Sequence, residues 1–168
     1  MPIRRRGSAA CRSSAGCAGI PRPAWTTCCS TRTSTGNVSS HKAEVNYSDL
    51  DKLYPYHNQW HQRPYKFGGL GPNGIDCSAF VQRAYKDLFH INLPRTTREL
   101  ANYGTKTSRS QIRTSDLVFF KTGYNTRHVG IYLKDGDFMH ASSKYGIIIS
   151  NMDDPYWRKH YWMTRRVK

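Results

Sequence analysis

The amino-acid sequence predicts an α+β fold in which one helix packs on a face of an antiparallel sheet. From residue 77 to residue 89, apolar side chains recur at three- and four-residue spacing, which is typical of a helix with one buried face. After residue 115 the pattern changes to short apolar or alternating runs separated by polar turns, as expected of strands. A helix that precedes several sequential strands indicates an α+β arrangement.

The predicted helix begins at Cys77 and is expected to end near His90. Asp76 stands immediately before it and is predicted to cap its free backbone N–H groups. Cys77 lies on the buried face, together with Phe80, Val81, Ala84, Tyr85, Leu88 and Phe89. The thiol of Cys77 is therefore expected to point inward.

The segments around this helix are predicted from caps, prolines and glycines. A short helix is expected over residues 48–54, and residues 64–69 are predicted to be an extended run whose glycines permit a tight turn or a close approach of two backbones. Pro94 disfavours helix at its predecessor, and Thr97 is a candidate cap for a second short helix that ends at Tyr103.

Five strands are predicted in the second half of the chain. Residues 116–120 form a nearly continuous apolar run, as in a strand that is buried on both faces. Residues 128–133 and 138–141 are predicted to form a hairpin, and the β-branched run at residues 147–149 indicates a fourth strand. The aromatic and basic tail of the chain is expected to return as an edge strand near residues 165–167.

Residues 1–40 differ in composition from the rest of the chain. They contain six arginines, a dozen serines and threonines and four of the five cysteines, but no lysine and no acidic residue. No hydrophobic periodicity is present, so we expect this segment to be disordered or non-native, and a domain to occupy residues 41–168. It lacks the continuous apolar stretch of a secretory signal, and no targeting signal is recognisable in it. Disulfides or a metal site rank below disorder, because two of its cysteines, Cys28 and Cys29, are adjacent.

The chain has a net charge of +15, and residues 61–168 alone carry +10. A basic domain favours an acidic partner, and nucleic acid, an anionic membrane surface and an anionic cell-wall polymer all qualify. No stretch of the sequence approaches the apolar length that spans a membrane.

Cys77 is the one cysteine that follows position 29. A helix start favours the thiolate, which is the nucleophilic form, because the helix dipole and the free N–H groups stabilise negative charge. A small buried cysteine without a chemical role is the common alternative, and it is preferred unless a base lies nearby. His128 and His140 of the predicted hairpin are the candidates for that base.

The length of the hairpin loop decides whether these two histidines can cooperate. A two-residue turn would put His128 and His140 on opposite faces of the sheet. A three-residue loop over residues 134–136, with Gly136 in the left-handed conformation, puts both on one face and sets Gly130 opposite His140.

On a shared face the hairpin supplies the chemistry that Cys77 lacks. His128 is placed to accept the proton of Cys77, and His140 is placed to fix the orientation of His128. Gly130 has no side chain and is expected to leave room for a substrate. The alternative is that both histidines are incidental strand residues. The presence of one cysteine and two histidines that can be brought together favours catalysis over that alternative.

Five successive motifs are similar, in order and in spacing, to those of the NlpC family of bacterial cell-wall cysteine peptidases. They occupy residues 65–69, 74–81, 115–120, 127–132 and 138–142. The resemblance covers about residues 55–168 and is closest to the murein endopeptidase branch of Gram-negative bacteria. Ala79 and Ser115 stand where glycine is common in the family, and both departures are expected to be tolerated sterically.

The resemblance implies a papain-like fold and a thiol peptidase. Cys77 is then the nucleophile, His128 the base and His140 the third, orienting member. The resemblance also implies that the Tyr65 hydroxyl lies by the nucleophile, where it helps the Cys77 backbone N–H to hold the oxyanion. No metal and no other cofactor is expected.

The implied substrate is a peptidoglycan stem peptide. The cut bond is either the one between D-glutamate and diaminopimelate or the D-alanyl cross-link to diaminopimelate. Arg95 and Arg127 are candidates for binding its free carboxylates, and a solvated surface arginine is the competing role for each. This substrate implies a location in the cell envelope or periplasm, with an outer-membrane lipoprotein as one form of it. A monomer that binds no nucleic acid is expected.

Two other classes of function stay open from the sequence. Cys77, His128 and His140 are adequate as the three ligands of an open zinc site, although no fourth ligand presents itself. A non-catalytic wall-binding or nucleic-acid-binding domain would use the basic charge and the aromatic, basic tail, which contains Trp157, Arg158, Lys159, Tyr161 and Trp162.

Overall fold

The computed structural model describes residues 45–168, and the expectations for residues 1–40 lie outside the described residues. The described part confirms an α+β fold of helices and one large antiparallel sheet. Its elements are α1 (Tyr47–Trp60), β1 (Leu70–Gly71), β2 (Gly74–Ile75), α2 (Cys77–Phe89), α3 (Thr97–Leu100), β3 (Thr105–Thr107), β4 (Leu117–Lys121), β5 (Arg127–Tyr132), β6 (Asp137–Ser142), β7 (Gly146–Asn151), α4 (Pro155–His160) and β8 (Tyr161–Arg166). Within this described part, no helix is both long and apolar enough to cross a membrane.

Strands β3 to β8 form a six-stranded antiparallel sheet in the order β3-β8-β4-β5-β6-β7. The prediction that the tail forms an edge strand is wrong, because β8 lies between β3 and β4. The edge is taken by β3, which the sequence did not reveal. All three residues of β3 are polar, so the hydrophobic pattern contains no signal for it.

Helix α2 begins and ends where the sequence predicts. The carboxylate of Asp76 caps it by accepting the Ala79 N–H at 2.8 Å. At the other end His90 adopts the left-handed conformation, with φ of 58°. The apolar face packs on β5 and β6, and Phe80 and Tyr85 are fully buried there. Truncation of such an aromatic side chain to alanine costs about 3–5 kcal/mol, so this face fixes the position of the helix.

Helix α1 extends well past the predicted residues 48–54, through Pro55 to Trp60. Proline removes a backbone donor and normally ends a helix, at a cost of about 3 kcal/mol. Here the buried stripe continues on both sides of it, with Leu53 before the proline and Tyr56 after it. Burial of each such side chain contributes about 1.5–3 kcal/mol, which offsets the lost hydrogen bond.

Helix α3 is capped by Thr96, and the prediction that Thr97 is the cap is wrong. Thr96 and Glu99 form a reciprocal capping box. The helix ends at Leu100 and does not reach Tyr103. The threonine three residues before the glutamate is the signal that identifies the cap. The shift by one residue leaves the Thr97 hydroxyl available for other contacts.

Ser115 has a left-handed backbone, with φ of 74°. Glycine adopts this conformation freely, whereas another residue in it costs about 1–2 kcal/mol. The Ser115 hydroxyl donates to the buried carboxylate of Asp49 at 2.7 Å, and its carbonyl accepts a hydrogen bond from the Tyr85 hydroxyl. The side chain is tolerated, as expected, because a buried hydrogen bond offsets the backbone cost.

The sheet buries a different apolar cluster on each face. Helix α2 covers the face that carries Phe119, Val129, Ile131, Met139 and Ala141. The other face carries Val118, Phe120, Tyr132 and Phe138, which pack with Met152 beneath Trp157 of α4. The run Leu117 to Phe120 is therefore buried on both faces, as predicted. Because side chains alternate along a strand, His128 and His140 belong to the face that α4 covers.

Candidate active site

The hairpin of β5 and β6 has the register that a three-residue loop predicts. The Leu133 N–H donates to the Asp137 carbonyl at 2.8 Å, and the pairing continues from there along both strands. Gly136 has a φ of 87°, as predicted. Asp135 also has a positive φ, of 51°, which was not expected. The loop is thus built on the mirror-image type I′ geometry with one extra residue beside it.

His128 and His140 lie on one face and are hydrogen-bonded to each other. The Nε2 atom of His128 is 2.8 Å from the Nδ1 atom of His140. The other ring nitrogen of His140 is 3.0 Å from the Ser150 Oγ on β7. With both nitrogens engaged, the His140 ring has a fixed orientation from which it can orient His128. Ser150 was not singled out in the sequence, where it is one more polar residue at the end of a strand.

Aromatic rings enclose the histidine pair. Trp157 stacks on His128 with ring centroids 5.5 Å apart, and Phe138 stacks on His140 with centroids 4.9 Å apart. Burial lowers the pKa of His128 to about 4. Burial and the neighbouring His128 lower the pKa of His140 well below its ordinary value. Both imidazoles are therefore neutral near pH 7, which is the form in which His128 can accept a proton.

Gly130 does not leave room for a substrate, and that expectation is wrong. A Cβ atom at this position would lie 2.6 Å from the Phe138 Cδ2 and 2.8 Å from the Met139 carbonyl oxygen. The protein itself fills the space, so glycine is needed for the close approach of β5 and β6. The register predicts which residue stands opposite Gly130, but not that the Phe138 ring lies across it.

Cys77 lies at the first turn of α2 and is 6% exposed. Burial raises the pKa of the Cys77 thiol, and hydrogen bonds from the Val129 backbone N–H and the Thr97 hydroxyl only partly oppose this effect. The distance from the Cys77 Sγ to the Thr97 Oγ1 is 3.9 Å. The helix-start effect expected from the sequence is thus outweighed by desolvation, and the resting form is a thiol. Thr97 was predicted only as a helix cap, and its contact with sulfur is a finding of the structure.

The nucleophile and the histidine pair open into neighbouring clefts. Cys77 lines one cleft, His128 and His140 line the other, and the two clefts share three lining residues, which are Tyr65, Thr126 and Arg127. Among the described residues, no hydrogen bond joins Cys77 to His128. The structure therefore brings the two histidines together and sets the sulfur against Val129, the residue that follows His128 on the strand.

Tyr65 lies between the two clefts, where the resemblance places an oxyanion donor. It forms a bridge with Ile75, two residues before Cys77. Burial, followed by the charges of Cys77 and Asp76, raises the pKa of the Tyr65 hydroxyl. The hydroxyl therefore stays protonated and can donate a hydrogen bond. The oxyanion role of Tyr65 stays a prediction.

The two arginines predicted to bind substrate have different surroundings. Arg95 donates to both carboxylate oxygens of Asp76, at 2.7 and 3.0 Å, so its guanidinium is engaged with the cap of α2. Arg127 lies over the Trp162 ring at 5.3 Å, and its Nε is buried without a hydrogen-bond partner among the described residues. Substrate binding by either arginine stays a prediction, and the position of Arg127 between the clefts favours it for that role.

The zinc alternative requires Cys77, His128 and His140 to form one ligand set. Within residues 45–168, no group of three or more histidine, cysteine, aspartate or glutamate side chains has the geometry to hold a metal ion. The structure therefore gives no support to a zinc site formed by these three side chains.

A cysteine at a helix start and a hydrogen-bonded histidine pair on the adjoining hairpin are the groups on which thiol hydrolases rely. Comparison with known protein families matches residues 62–166 to the NlpC/P60 family. The chain belongs to the NlpC/P60 family.

Relatives with established names are similar over most of the described part. A protein of Haemophilus influenzae named "Probable endopeptidase" is 47% identical over 112 residues, which cover 66% of this chain and 70% of the relative. An Escherichia coli K12 protein named "Murein DD-endopeptidase MepS/Murein LD-carboxypeptidase" is 46% identical over 116 residues, which cover 69% of this chain and 62% of the relative. The chain thus matches somewhat less than two thirds of the second relative.

Solved structures show the same fold. An NLP/P60 family protein of Staphylococcus aureus, described as similar to lipoprotein, superposes with a TM-score of 0.65 at 29% identity, covering 76% of this chain and 44% of that chain. The NlpC/p60 domain of the peptidoglycan hydrolase SagA superposes with a TM-score of 0.59 at 24% identity, covering 70% of this chain and 97% of that chain.

Proposed function

We propose that this protein is a peptidoglycan hydrolase that cleaves an amide bond of murein stem peptides through Cys77, in a domain of residues 41–168. The observation that carries the proposal is the neutral, hydrogen-bonded pair of His128 and His140 in the cleft beside the nucleophile. The names of the relatives support murein as the substrate. The charge of +10 on residues 61–168 suits a polymer that carries free carboxylates.

The reaction begins with attack of the Cys77 sulfur on the scissile carbonyl carbon. Because the resting groups are a thiol and a neutral imidazole, His128 takes the thiol proton as the sulfur attacks. The carbonyl oxygen becomes an oxyanion, and the Cys77 backbone N–H and the Tyr65 hydroxyl are the donors that we propose for it. His140 holds the His128 ring in the orientation for this transfer.

Collapse of the tetrahedral intermediate breaks the carbon–nitrogen bond. The proton on His128 passes to the leaving amine, and the acyl group stays on Cys77 as a thioester. Water then attacks the thioester while His128 removes its proton. The second tetrahedral intermediate collapses with cleavage of the carbon–sulfur bond, and the proton on His128 passes to the Cys77 sulfur. The product acid leaves and ionises in water, so the enzyme regains its resting form.

The candidate bonds are the one between D-glutamate and diaminopimelate and the D-alanyl cross-link to diaminopimelate. Both lie in peptides with carboxylates close to the cut, and Arg127, which lines both clefts, is the residue that we propose to bind one of them. Because murein is outside the cytoplasm, the proposal locates the protein in the cell envelope, as a monomer in the periplasm or anchored at the outer membrane.

Digestion of purified murein tests the proposal. Wild-type protein is expected to release soluble fragments whose masses identify the cut bond, and Cys77→Ala is expected to release none. Cys28→Ala is the matched control, because it removes a thiol outside the domain and should leave release unchanged. Equal release by wild type and Cys77→Ala would overturn the proposal, and murein binding without any release would favour a wall-binding domain instead.

A further inference from the structure

The Asp76 carboxylate stabilises the start of α2 but disfavours a negative charge on the neighbouring Cys77. The carboxylate accepts the Ala79 N–H at 2.8 Å and the Gly68 N–H at 3.0 Å, so it caps α2 and anchors the preceding turn. The same carboxylate is a negative charge adjacent to Cys77 in the chain. A nearby negative charge disfavours the thiolate that must form during attack. The cap needs the oxygen atoms of Asp76, whereas the chemistry is impeded by their charge.

Arg95 is bound to this carboxylate in a two-point geometry. Its guanidinium reaches the two Asp76 oxygens at 2.7 and 3.0 Å, and the same nitrogen that makes the longer contact donates to the Ser78 Oγ at 2.9 Å. The Asp76 side chain is 8% exposed and the Arg95 side chain 33% exposed, so solvent screens this pair only in part. A two-point pair of this kind fixes the orientation of the guanidinium as well as the position of its charge.

The segment that carries Arg95 is itself fixed to α2. On one side the Leu93 carbonyl accepts the Gln82 Nε2–H at 2.7 Å. On the other side Thr96 caps α3, and the next hydroxyl, that of Thr97, reaches the Cys77 sulfur. Arg95 therefore lies between two anchored points, and its position does not depend on a bound substrate.

We propose that Arg95 is a positioning residue that neutralises the Asp76 cap, so that the start of α2 can hold a thiolate at Cys77. Burial acts to raise the pKa of Asp76, but the hydrogen bonds from Arg95, Ala79 and Ser78 outweigh it and the pKa of Asp76 is lowered, so the carboxylate is ionised whenever the enzyme works. The inference rests on the proposed function, yet it is tested on the reactivity of the sulfur, so the two can fail separately.

Other charged or titratable groups face the sulfur and are the same in every variant of the test. Tyr65, Arg98 and Arg127 line the cleft of Cys77, and His128 and His140 line the neighbouring cleft. Arg109 provides the matched control, because it pairs with Asp153 at 2.6 Å as Arg95 pairs with Asp76, and it lines neither cleft.

The experiment measures alkylation of Cys77 by iodoacetamide in the full chain over a range of pH. Mass spectrometry of the tryptic peptide over residues 67–83 reports this cysteine alone, because the other four precede residue 30. Arg95→Met is expected to slow the reaction near pH 7 about tenfold, which corresponds to a rise of about one unit in the apparent pKa of the thiol. Arg95→Lys should recover part of the rate, and Arg109→Met should stay within about twofold of wild type.

Removal of the negative charge at Asp76 should have the opposite effect on the alkylation rate. Asparagine caps a helix about as well as aspartate, so Asp76→Asn removes the charge but keeps the cap and should speed alkylation. The double variant Asp76→Asn with Arg95→Met should return to within about threefold of the wild-type rate. Should Arg95→Met fail to fold, Asp76→Asn alone decides: faster alkylation supports the inference and slower alkylation overturns it.

Two further results would overturn the inference. If Arg95→Met is alkylated at the wild-type rate while its KM for murein rises, Arg95 binds a substrate carboxylate instead. If the double variant stays as slow as Arg95→Met, the loss reflects disturbed structure rather than an unbalanced charge.

Discussion

The nucleophile and the base are prepared by opposite means on the two sides of the site. Around Cys77 the charges are kept and balanced, because the Asp76 cap is paired with Arg95. Around His128 the imidazoles are kept neutral, because burial against the rings of Trp157 and Phe138 lowers the pKa values of both histidines. The first side stabilises an anion when it forms, and the second keeps the base neutral until it takes a proton. Substitutions around Cys77 should therefore change how readily the thiolate forms. Substitutions around His128 should instead change how the base holds and takes a proton.

The largest expected effect is loss of the base. His128→Ala and His128→Asn should both lower murein cleavage about 10³-fold, because neither side chain can take the proton of Cys77. The measurement is the rate of soluble fragment release. His160→Asn, a histidine of α4 whose Nδ1 lies 2.7 Å from the Tyr156 carbonyl oxygen, is the control and should keep wild-type activity. Activity of His128→Asn above about a tenth of wild type would show that another group is the base.

A smaller effect is expected from the residue that orients the base. His140→Ala should lower the rate about 10²-fold, whereas His140→Asn can still hydrogen-bond the His128 Nε2 and should keep about ten times more activity. Ser150→Ala, which frees the far side of the His140 ring, should cost about threefold. Fragment release by the three variants tests this order, and equal loss in the Asn and Ala variants would contradict the orienting role.

The two sides should also respond differently to acid. The pKa of His128 is about 4 in the fold and about 6.5 when unfolded, so the unfolded chain binds the proton first as pH falls. The contribution of neutral His128 to the free energy of unfolding is therefore fully present above about pH 6.5. It is lost as pH falls toward 4, by up to about 3 kcal/mol. The pKa of Asp76 is lowered, so its contribution is lost only below the ordinary carboxylate range.

Urea unfolding between pH 7 and pH 4.5 measures this loss. His140 and His57 are also buried with lowered pKa values and add to the slope, so the test is the difference between wild type and His128→Asn. His128→Asn should reduce the pH dependence in this window, and Asp76→Asn should leave it unchanged. An unchanged slope in His128→Asn would mean that burial of this histidine does not depress its pKa.

The smallest effect is expected on the nucleophile side. Thr97→Val removes the hydroxyl whose oxygen is 3.9 Å from the Cys77 sulfur, a long contact, and should lower kcat about threefold. Thr96→Val is the matched variant, because it removes the cap of α3 and should cost about 1 kcal/mol of stability with little change in kcat. Equal kcat values in the two variants would deny the Thr97 hydroxyl a part in catalysis.

The sequence predicted the parts of the fold that depend on local pattern. The bounds of α2 followed from apolar spacing and the Asp76 cap, and the shared face of His128 and His140 followed from the length of one loop. The polar strand β3 was missed because it contains no apolar residue, and β8 was put at the edge because its neighbour was unknown.

The parts of the site that the sequence did not reveal are contacts between distant segments. Arg95 was expected to bind substrate, since nothing in its neighbourhood along the chain shows that it reaches back to Asp76. In the sequence Trp157 is one residue of an aromatic tail, whereas in the structure its ring packs against both His128 and His140. The electrostatic state of the site also depends on burial, which is why the dipole argument at Cys77 predicted a thiolate where desolvation keeps a thiol.

The position of β8 has a consequence for how the chain is made. Residues 161–166 complete the sheet, but they lie between β3 and β4 and follow every other strand in synthesis. Until they emerge from the ribosome, the side of β4 that pairs with β8 is an open edge. Four residues of β4 are fully buried in the finished protein, namely Leu117, Val118, Phe119 and Phe120. An unpaired apolar edge is a template for pairing with another chain. A polypeptide stopped after α4 should therefore aggregate more readily than the complete chain.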